Sequence, residues 1–262
     1  MQLSSAQIYQ TEYHFTSFIH VQTSKSSLIL GVSDELLHLH YGAKLDAPET
    51  IFLDDIALPG QEFPPAYSAF AAADHNAALR VTHADQSLAT ELVYQSHQQT
   101  KESDNQSLTT VLLKDKLLPF FVRLHYRAFS KEDVIETWVT YEHQESGDIT
   151  LNEYPSAELS FSNLYQDYYL QTYQGLWERE HSIQEEKLSL GKKIIENRYG
   201  TWSSFGFNPS FMLSLNKPST ENTGEVIAAA LAWSGAWKIS FDSSFGKLYH
   251  DCAERRQLSI CA

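Results

Sequence analysis

The 262-residue sequence is poor in cysteine, in methionine and in basic residues. Its two cysteines, Cys252 and Cys261, both fall in the last eleven residues. A disulfide framework is thereby excluded for the body of the chain, which suits a reducing, cytoplasmic compartment. Lys and Arg total 19 against 33 Asp and Glu, a formal net charge of −14. Such a surface repels phosphate backbones, and no basic stripe offsets it locally, so neither nucleic acid nor an anionic membrane is expected as a partner. A neutral ligand such as a sugar is compatible with this charge, although the charge does not select it. No apolar run approaches the ~18 residues of a membrane span. The first residues, MQLSSAQIYQTEYHF, have no basic n-region and no apolar h-region, so no secretory signal is read there.

Recurrent catalytic signatures are also missing. There is no G-x-S-x-G elbow, no P-loop, no zinc quartet and no H-E-x-x-H. No helix–strand alternation appears, which excludes a βα barrel or a dinucleotide fold within these residues. No metal and no cofactor are implied.

What is present is a period of two. In Val122-Arg123-Leu124-His125-Tyr126-Arg127-Ala128 the even positions are apolar or aromatic and the odd ones basic. That pattern predicts a strand with one face in a core and the other in water. Asp133 to Tyr141, Leu79 to His83, Thr90 to Tyr94, Thr109 to Leu113, Lys192 to Ile195 and Phe211 to Leu215 read the same way. A longer series runs from Glu225 to Phe241, where Ser234-Gly235 could mark a bend or a bulge. Turn signals such as Ser146-Gly147-Asp148, Tyr199-Gly200 and Asn222-Thr223-Gly224 separate the strands. The expected fold is an all-β antiparallel sandwich with few or no helices. Short helical pieces are conceivable only at Ser33 to Leu37 or Ser182 to Leu188, and the latter reads equally as a strand. Asp46 to Asn76 and the polar Gln98 to Ser107 read as loops, the first far beyond the usual ~4–6 residues.

Three groups could carry chemistry. Glu178 and Glu180 flank Arg179. On a strand, residues i and i+2 lie about 6.5–7 Å apart, within the span of paired glycosidase carboxylates. Neighbours on one strand point in parallel into solvent, however, so a structural role or an ion pair with Arg179 is expected. His38 and His40 form an H-x-H with no visible third ligand. Trp177, Trp202, Trp233 and Trp237 could stack on sugars, but core or interdomain packing is the commoner use of such side chains.

The order of the segments is informative. Leu79-Arg80-Val81-Thr82-His83 precedes Tyr94-Gln95-Ser96-His97. Later come Gly175-Leu176-Trp177-Glu178-Arg179-Glu180, then Arg198-Tyr199-Gly200-Thr201-Trp202-Ser203-Ser204 with Asn208-Pro209, and last Trp233-Ser234-Gly235. This series resembles the N-terminal domain of α-galactosidases of glycoside hydrolase family 36, over roughly Thr11 to Phe241. The resemblance implies a large β-supersandwich of galactose-mutarotase-like type over residues 1–245. In that family this domain precedes a catalytic (β/α)₈ barrel, which is absent here. It also implies partners: α-galactoside oligosaccharides such as melibiose and raffinose, the barrel itself, and further copies in a homo-oligomer. The family's catalytic aspartates lie on the barrel, so no catalytic residue is assigned in this chain.

Trp177, Arg179, Trp202, Trp233 and Trp237 are the expected domain-interface residues. Asp74 is the one acid left in a loop that in the family can reach substrate, and its arginine partner two residues on is missing. Ala236 replaces the Asn that usually follows W-S-G. The tail 246–262 loses the strand period, so a truncation or reading-frame change near Phe245 is expected. The alternative to a barrel-supporting domain is a free-standing carbohydrate-binding or scaffold sandwich.

Overall fold

The computed structural model describes residues 15–45, 63–69, 77–165, 167–245 and 256–261. Among these residues there are strands and turns but no helix, and the strand pairs are antiparallel. The chain divides into two compact units, Met1–Leu159 and Ser160–Ala262.

In the first unit, β1 (Ser17–Gln22), β2 (Ser26–Val32) and β3 (Leu36–Ala43) form one sheet. A second has the order β5 (Leu92–Lys101), β6 (Gln106–Asp115), β7 (Phe120–Phe129) and β8 (Val134–His143). The short strands β4 (Arg80–Thr82) and β9 (Thr150–Glu153) pair separately. The alternation expected for Val122 to Ala128 is realised. Phe120, Val122, Leu124, Tyr126 and Ala128 are buried, and every residue between them is only half-buried. With Val111 and Leu113 of β6 they meet Ile19, Leu28 and Leu30 in one core cluster, so the two sheets pack face to face.

β2 carries no period of two, and packing explains why. Leu28 and Leu30 face that core, while Ile29 joins Leu37, Leu39 and Phe63 in a second cluster on the opposite face. A strand covered on both faces has no polar side to alternate with. Gly31 belongs to the same crowding. A Cβ there would lie 2.5 Å from the Phe15 ring and 2.6 Å from Leu39 Cδ1.

The stretch Gln98 to Ser107 differs from the expected loop. β5 runs on to Lys101 and β6 starts at Gln106, leaving a tight hairpin. Its polarity is that of a strand end exposed on both faces. At Ser33 to Leu37 the structure has a turn leading into β3, not a helix.

The second unit holds two four-stranded sheets. One has the order β12 (Arg179–Lys187), β11 (Tyr168–Leu176), β14 (Gly206–Leu215), β15 (Val226–Ala230). The other has the order β10 (Glu158–Tyr165), β17 (Arg256–Cys261), β16 (Trp237–Phe245), β13 (Gly191–Asn197), with the first two residues of β10 still in the first unit. Phe211 of β14 packs edge-on against Phe241 of β16, with ring centroids 4.9 Å apart, and Leu170, Leu213 and Ile239 are fully buried. The long series from Glu225 breaks between β15 and β16 at the bend signalled by Ser234-Gly235. Ser182 to Leu188 is strand through Lys187. Within the tail, Arg256–Cys261 pairs with β16 from Phe245 to Ser240, so strand order resumes there. The expectation that it ends near Phe245 does not hold for these six residues.

Buried polar groups in the first unit are tied to one another. His83 is fully buried; its Nδ1 donates to Glu145 Oε1 at 2.8 Å and its Nε2 lies 2.9 Å from the Thr90 hydroxyl. The Ala84 N–H donates to Glu145 Oε2 at 2.8 Å. Burial pushes the Glu145 carboxyl up, but these two hydrogen bonds outweigh it and hold it below its usual value of 4.5. A carboxyl depressed in the folded state stabilises the fold above its unfolded value and loses that contribution as pH falls through the folded one. Glu145→Gln is therefore expected to lower unfolding stability at neutral pH by about 1–3 kcal/mol. It should also flatten the loss of stability below about pH 4.5. Urea unfolding of both proteins across that pH range is the check.

Candidate functional site

The sheet registers gather three loops at one end of the second unit. Leu176, the last residue of β11, pairs with Arg179, the first of β12, and Gly175 pairs with Gly206, the first of β14. On the other sheet, Asn197 at the end of β13 pairs with Trp237 at the start of β16. The loop 198–205 runs from Asn197 to Gly206 and so bridges the two sheets at this end. The segment 231–236 leaves β15 and enters β16 at the same end, with Leu231 N–H donating to Pro209 O at 2.7 Å.

Two buried side chains hold this arrangement. Asn197, 2% exposed, donates from Nδ2 to Trp202 O at 2.9 Å and to Phe205 O at 2.6 Å, and its Oδ1 accepts from Tyr199 N–H at 2.8 Å. Trp237, 6% exposed, donates from Nε1 to Ser203 O at 2.6 Å. With its backbone fixed, the loop turns its rings outward. Tyr199 and Phe205 meet edge-on with centroids 4.8 Å apart, Trp202 lies 5.8 Å from Phe205, and all three remain exposed.

Trp233 is presented by a second device. Its Nε1 donates to Ala236 O at 3.1 Å, folding the indole over Gly235. A Cβ on Gly235 would lie 2.5 Å from that Nε1, so only glycine fits beneath the ring. Trp177 sits in the turn between β11 and β12 and is 89% exposed, with Leu176 exposed beside it. The turn places Glu178 in the left-handed region at φ 67°, and His181 in β12, opposite the register shift of β11, is also left-handed at φ 58°. Such a conformation costs an L-residue roughly 1–2 kcal/mol.

Of the expected interface residues, Trp177, Trp202, Trp233 and exposed Arg179 therefore stand at one end. Trp237 lies at the same end but underneath, as a support. Being buried, it contributes nothing to the open aromatic surface, in keeping with the core packing expected of such side chains. Tyr199, Phe205 and Leu176 complete that surface. The exposure of Tyr199 and Phe205 follows from the hydrogen bonds of Asn197 and Trp237, which no local pattern announces.

The other candidates do not assemble a reaction centre among the described residues. Glu178 lies in the turn and not on a strand, so the expected i, i+2 strand geometry with Glu180 does not arise; both are in solvent. No ion pair links Arg179 to either of them. His38 is buried in β3 while His40 contacts Ala43 O at 3.1 Å, and a register shift between their partners Leu30 and Ile29 separates them. Burial and the nearby His40 push His38 down to about 3. No group of three or more His, Cys, Asp or Glu among the described residues could hold a metal ion. A small cavity of about 10 Å³ in the first unit, no larger than a water molecule needs, is lined by Tyr67, Tyr126, Thr137 and Glu158 among others. Its one acid accepts from Ser68 N–H at 2.6 Å and from Ser68 Oγ at 2.9 Å. Asp74 lies outside the described residues.

The model of the glycosyl hydrolase family 36 N-terminal domain matches residues 34–248. The chain belongs to this family. The α-galactosidase Mel36A of Lactobacillus acidophilus is 26% identical over 266 residues, covering 88% of this chain and 35% of that protein. The α-galactosidase AgaA of Geobacillus stearothermophilus is 30% identical over 142 residues, covering 54% of this chain and 18% of that protein. The chain thus spans about a third or less of the curated relatives it matches. Among solved structures, an α-galactosidase of Lactobacillus brevis superposes with a TM-score of 0.76 at 21% identity, covering 93% of this chain and 36% of that one. AgaA itself superposes at 0.74 and 21%, covering 93% and 37%. At such identities these structures establish the shared β fold.

The aromatic end of this family 36 domain depends on its buried anchor. Asn197→Ala would leave the Phe205 carbonyl and the Tyr199 N–H of the loop 198–205 without their side-chain partner, while Trp202 O would keep the Phe205 N–H at 3.0 Å. It is expected to cost about 2–3 kcal/mol and to change the tryptophan emission of the folded chain. Guanidinium unfolding followed by fluorescence measures both; wild-type stability with an unaltered spectrum would refute the anchoring role.

Proposed function

We propose that this chain is the non-catalytic N-terminal part of an α-galactosidase that removes terminal α-galactosyl residues from oligosaccharides such as melibiose and raffinose. The observation that carries this reading is the family match over residues 34–248, in relatives of which the chain spans only a third. One solved relative, a variant of AgaA, is in complex with raffinose. Cytoplasmic residence is supported by the scarcity of cysteine.

In this reading the second unit braces the catalytic barrel with its aromatic end. Large apolar rings held out on hydrogen-bonded loops are suited to cover by another protein surface. β17 supports this placement, since it runs back along β16 and its last residue, Cys261, pairs with Ser240, three residues from Trp237. Polypeptide continuing past that strand would leave towards the aromatic end. Chemistry in such an enzyme is double displacement: one carboxylate attacks the anomeric carbon while a second, about 5–5.5 Å away, protonates the leaving oxygen. No residue of this chain takes either role. Roles in oligomerisation and at the substrate rim, the latter through Asp74, belong to the same proposal.

The exposed tryptophans also suit a second reading, a carbohydrate-binding sandwich without hydrolysis. Two measurements separate the readings. The purified chain is expected to release no p-nitrophenol from p-nitrophenyl α-galactoside and no measurable heat on titration with raffinose or melibiose. Turnover abolished by Glu178→Gln or Glu180→Gln would refute the non-catalytic assignment. Saturable raffinose binding lost in Trp202→Ala would favour the second reading.

A further inference from the structure

We propose that His38 is an acid-released latch in the first unit: neutral and sealed between two sheets, it leaves β3 in place at neutral pH and frees the sheet β1–β3 once the medium turns mildly acid. The inference owes nothing to the activity proposed above, since it concerns only how the first unit holds together.

Position is the first argument. His38 pairs with Leu30 across β3 and β2, and Leu30 belongs to the core cluster that joins this sheet to β5–β8. Residues directly opposite on an antiparallel pair share a face. The register therefore sets His38 in the interface between the sheets, where it is buried. The irregularity between Ile29 and Leu30 pairs His40 with Ile29, whose cluster lies on the other face, so the two histidines do not work as a pair. The His38 N–H donates to Pro64 O at 2.8 Å, which holds β3 between β2 and the segment 63–66.

Chemistry is the second argument. The His38 Nε2 has no hydrogen-bond partner among the described residues. A neutral ring leaves one polar atom unmatched there; an imidazolium would bring a full charge to the same place and make Nε2 an unmatched charged donor. No acid stands by to receive that charge. The ionisable residues of the surrounding cluster and its rim are Tyr41, Tyr67, Tyr94, Tyr126 and Tyr141. Burial raises Tyr41, Tyr94, Tyr126 and Tyr141 above the ordinary phenol value, so these rings stay neutral. Glu158 and Asp133 act on these tyrosines, but Glu158 is bonded to Ser68, and Asp133 to Thr23 and Ser26. Among the described residues His40 is the one charged group that bears on His38, and it repels a further proton. Burial first and His40 second hold His38 down to about 3, against an ordinary 6.5.

A histidine whose folded value lies below its unfolded one costs the fold nothing above pH 6.5 and weakens it as pH falls from there towards 3. Across that window the open chain binds one more proton than the closed one. The opening equilibrium then rises by up to about tenfold per pH unit, or roughly thirtyfold between pH 7.5 and pH 5.

Amide hydrogen exchange of the full chain tests this, with rates corrected for the intrinsic effect of pH. The amides of β2 and β3 should exchange roughly thirtyfold faster at pH 5 than at pH 7.5, while those of β11 and β14 in the second unit should not follow. His38→Leu keeps an apolar side chain at the site and removes the titrating group, so it should abolish most of the acceleration. His38→Gln, polar yet unable to titrate, should flatten the same slope even where it lowers stability at pH 7.5. A third readout uses no variant: in nitrogen-15 spectra the His38 ring, assigned through its own backbone amide, should remain neutral in the folded chain at pH 5. A ring that titrates near pH 6.5 in the folded chain would overturn the inference. So would equal acceleration in the wild type and both variants, or an acceleration that β11 and β14 share in full.

Discussion

Asn197 and Trp237 face each other across β13 and β16, and each directs a buried N–H donor to a carbonyl of the loop 198–205. A buried donor without a partner costs the full price of its desolvation, so both side chains demand the loop where it is. The loop in turn supplies three of the exposed rings and closes the gap between two sheets. Two interior hydrogen-bonding residues thus fix an exterior surface. The outward rings contribute little to the stability of the unit that carries them; the residues beneath them contribute much.

The strands were legible where one face of a sheet meets water. β7 alternates in sequence because it alternates in burial, and the break before β16 falls at Ser234-Gly235, where a Cβ on Gly235 would meet the Trp233 ring. β2 escaped because both its faces are covered, which erases the alternation. The β5–β6 hairpin escaped for the opposite reason, since its end is wet on both sides. At the aromatic end, four tryptophans carry the same chemical label, and only tertiary contact divides them. Trp237 becomes an anchor through a carbonyl 34 residues away. Glu178 was misplaced because a left-handed turn residue is usually glycine or asparagine, and glutamate gives no such warning.

The first unit shows the same economy around the sequence flanking residues 70–76. The Ser68 N–H and hydroxyl both reach Glu158, and the Ala78 N–H donates to the Ser68 hydroxyl at 2.9 Å. Leu79 N–H donates to Ser68 O at 3.0 Å. Tyr67 and Tyr141 share a hydroxyl contact and both donate to Pro155 O. Residues on either side of that stretch are therefore held against one another by side chains from distant strands, which the sequence does not place together.

Several acids among the described residues serve as ties within the scaffold. A glycosidase general acid needs a carboxyl whose pKa is raised by an apolar or like-charged setting. Glu142, Glu132, Asp133 and Glu145 are displaced the other way, below their usual values. Hydrogen bonding to Arg123 lowers Glu142, bonding to Asn105 lowers Glu132, and bonding to Thr23 lowers Asp133. Glu145 is lowered even while buried. These groups stay ionised because they hold cations, amides and hydroxyls in place. A carboxylate fixed in that way pins a β scaffold well and makes a poor proton donor at neutral pH.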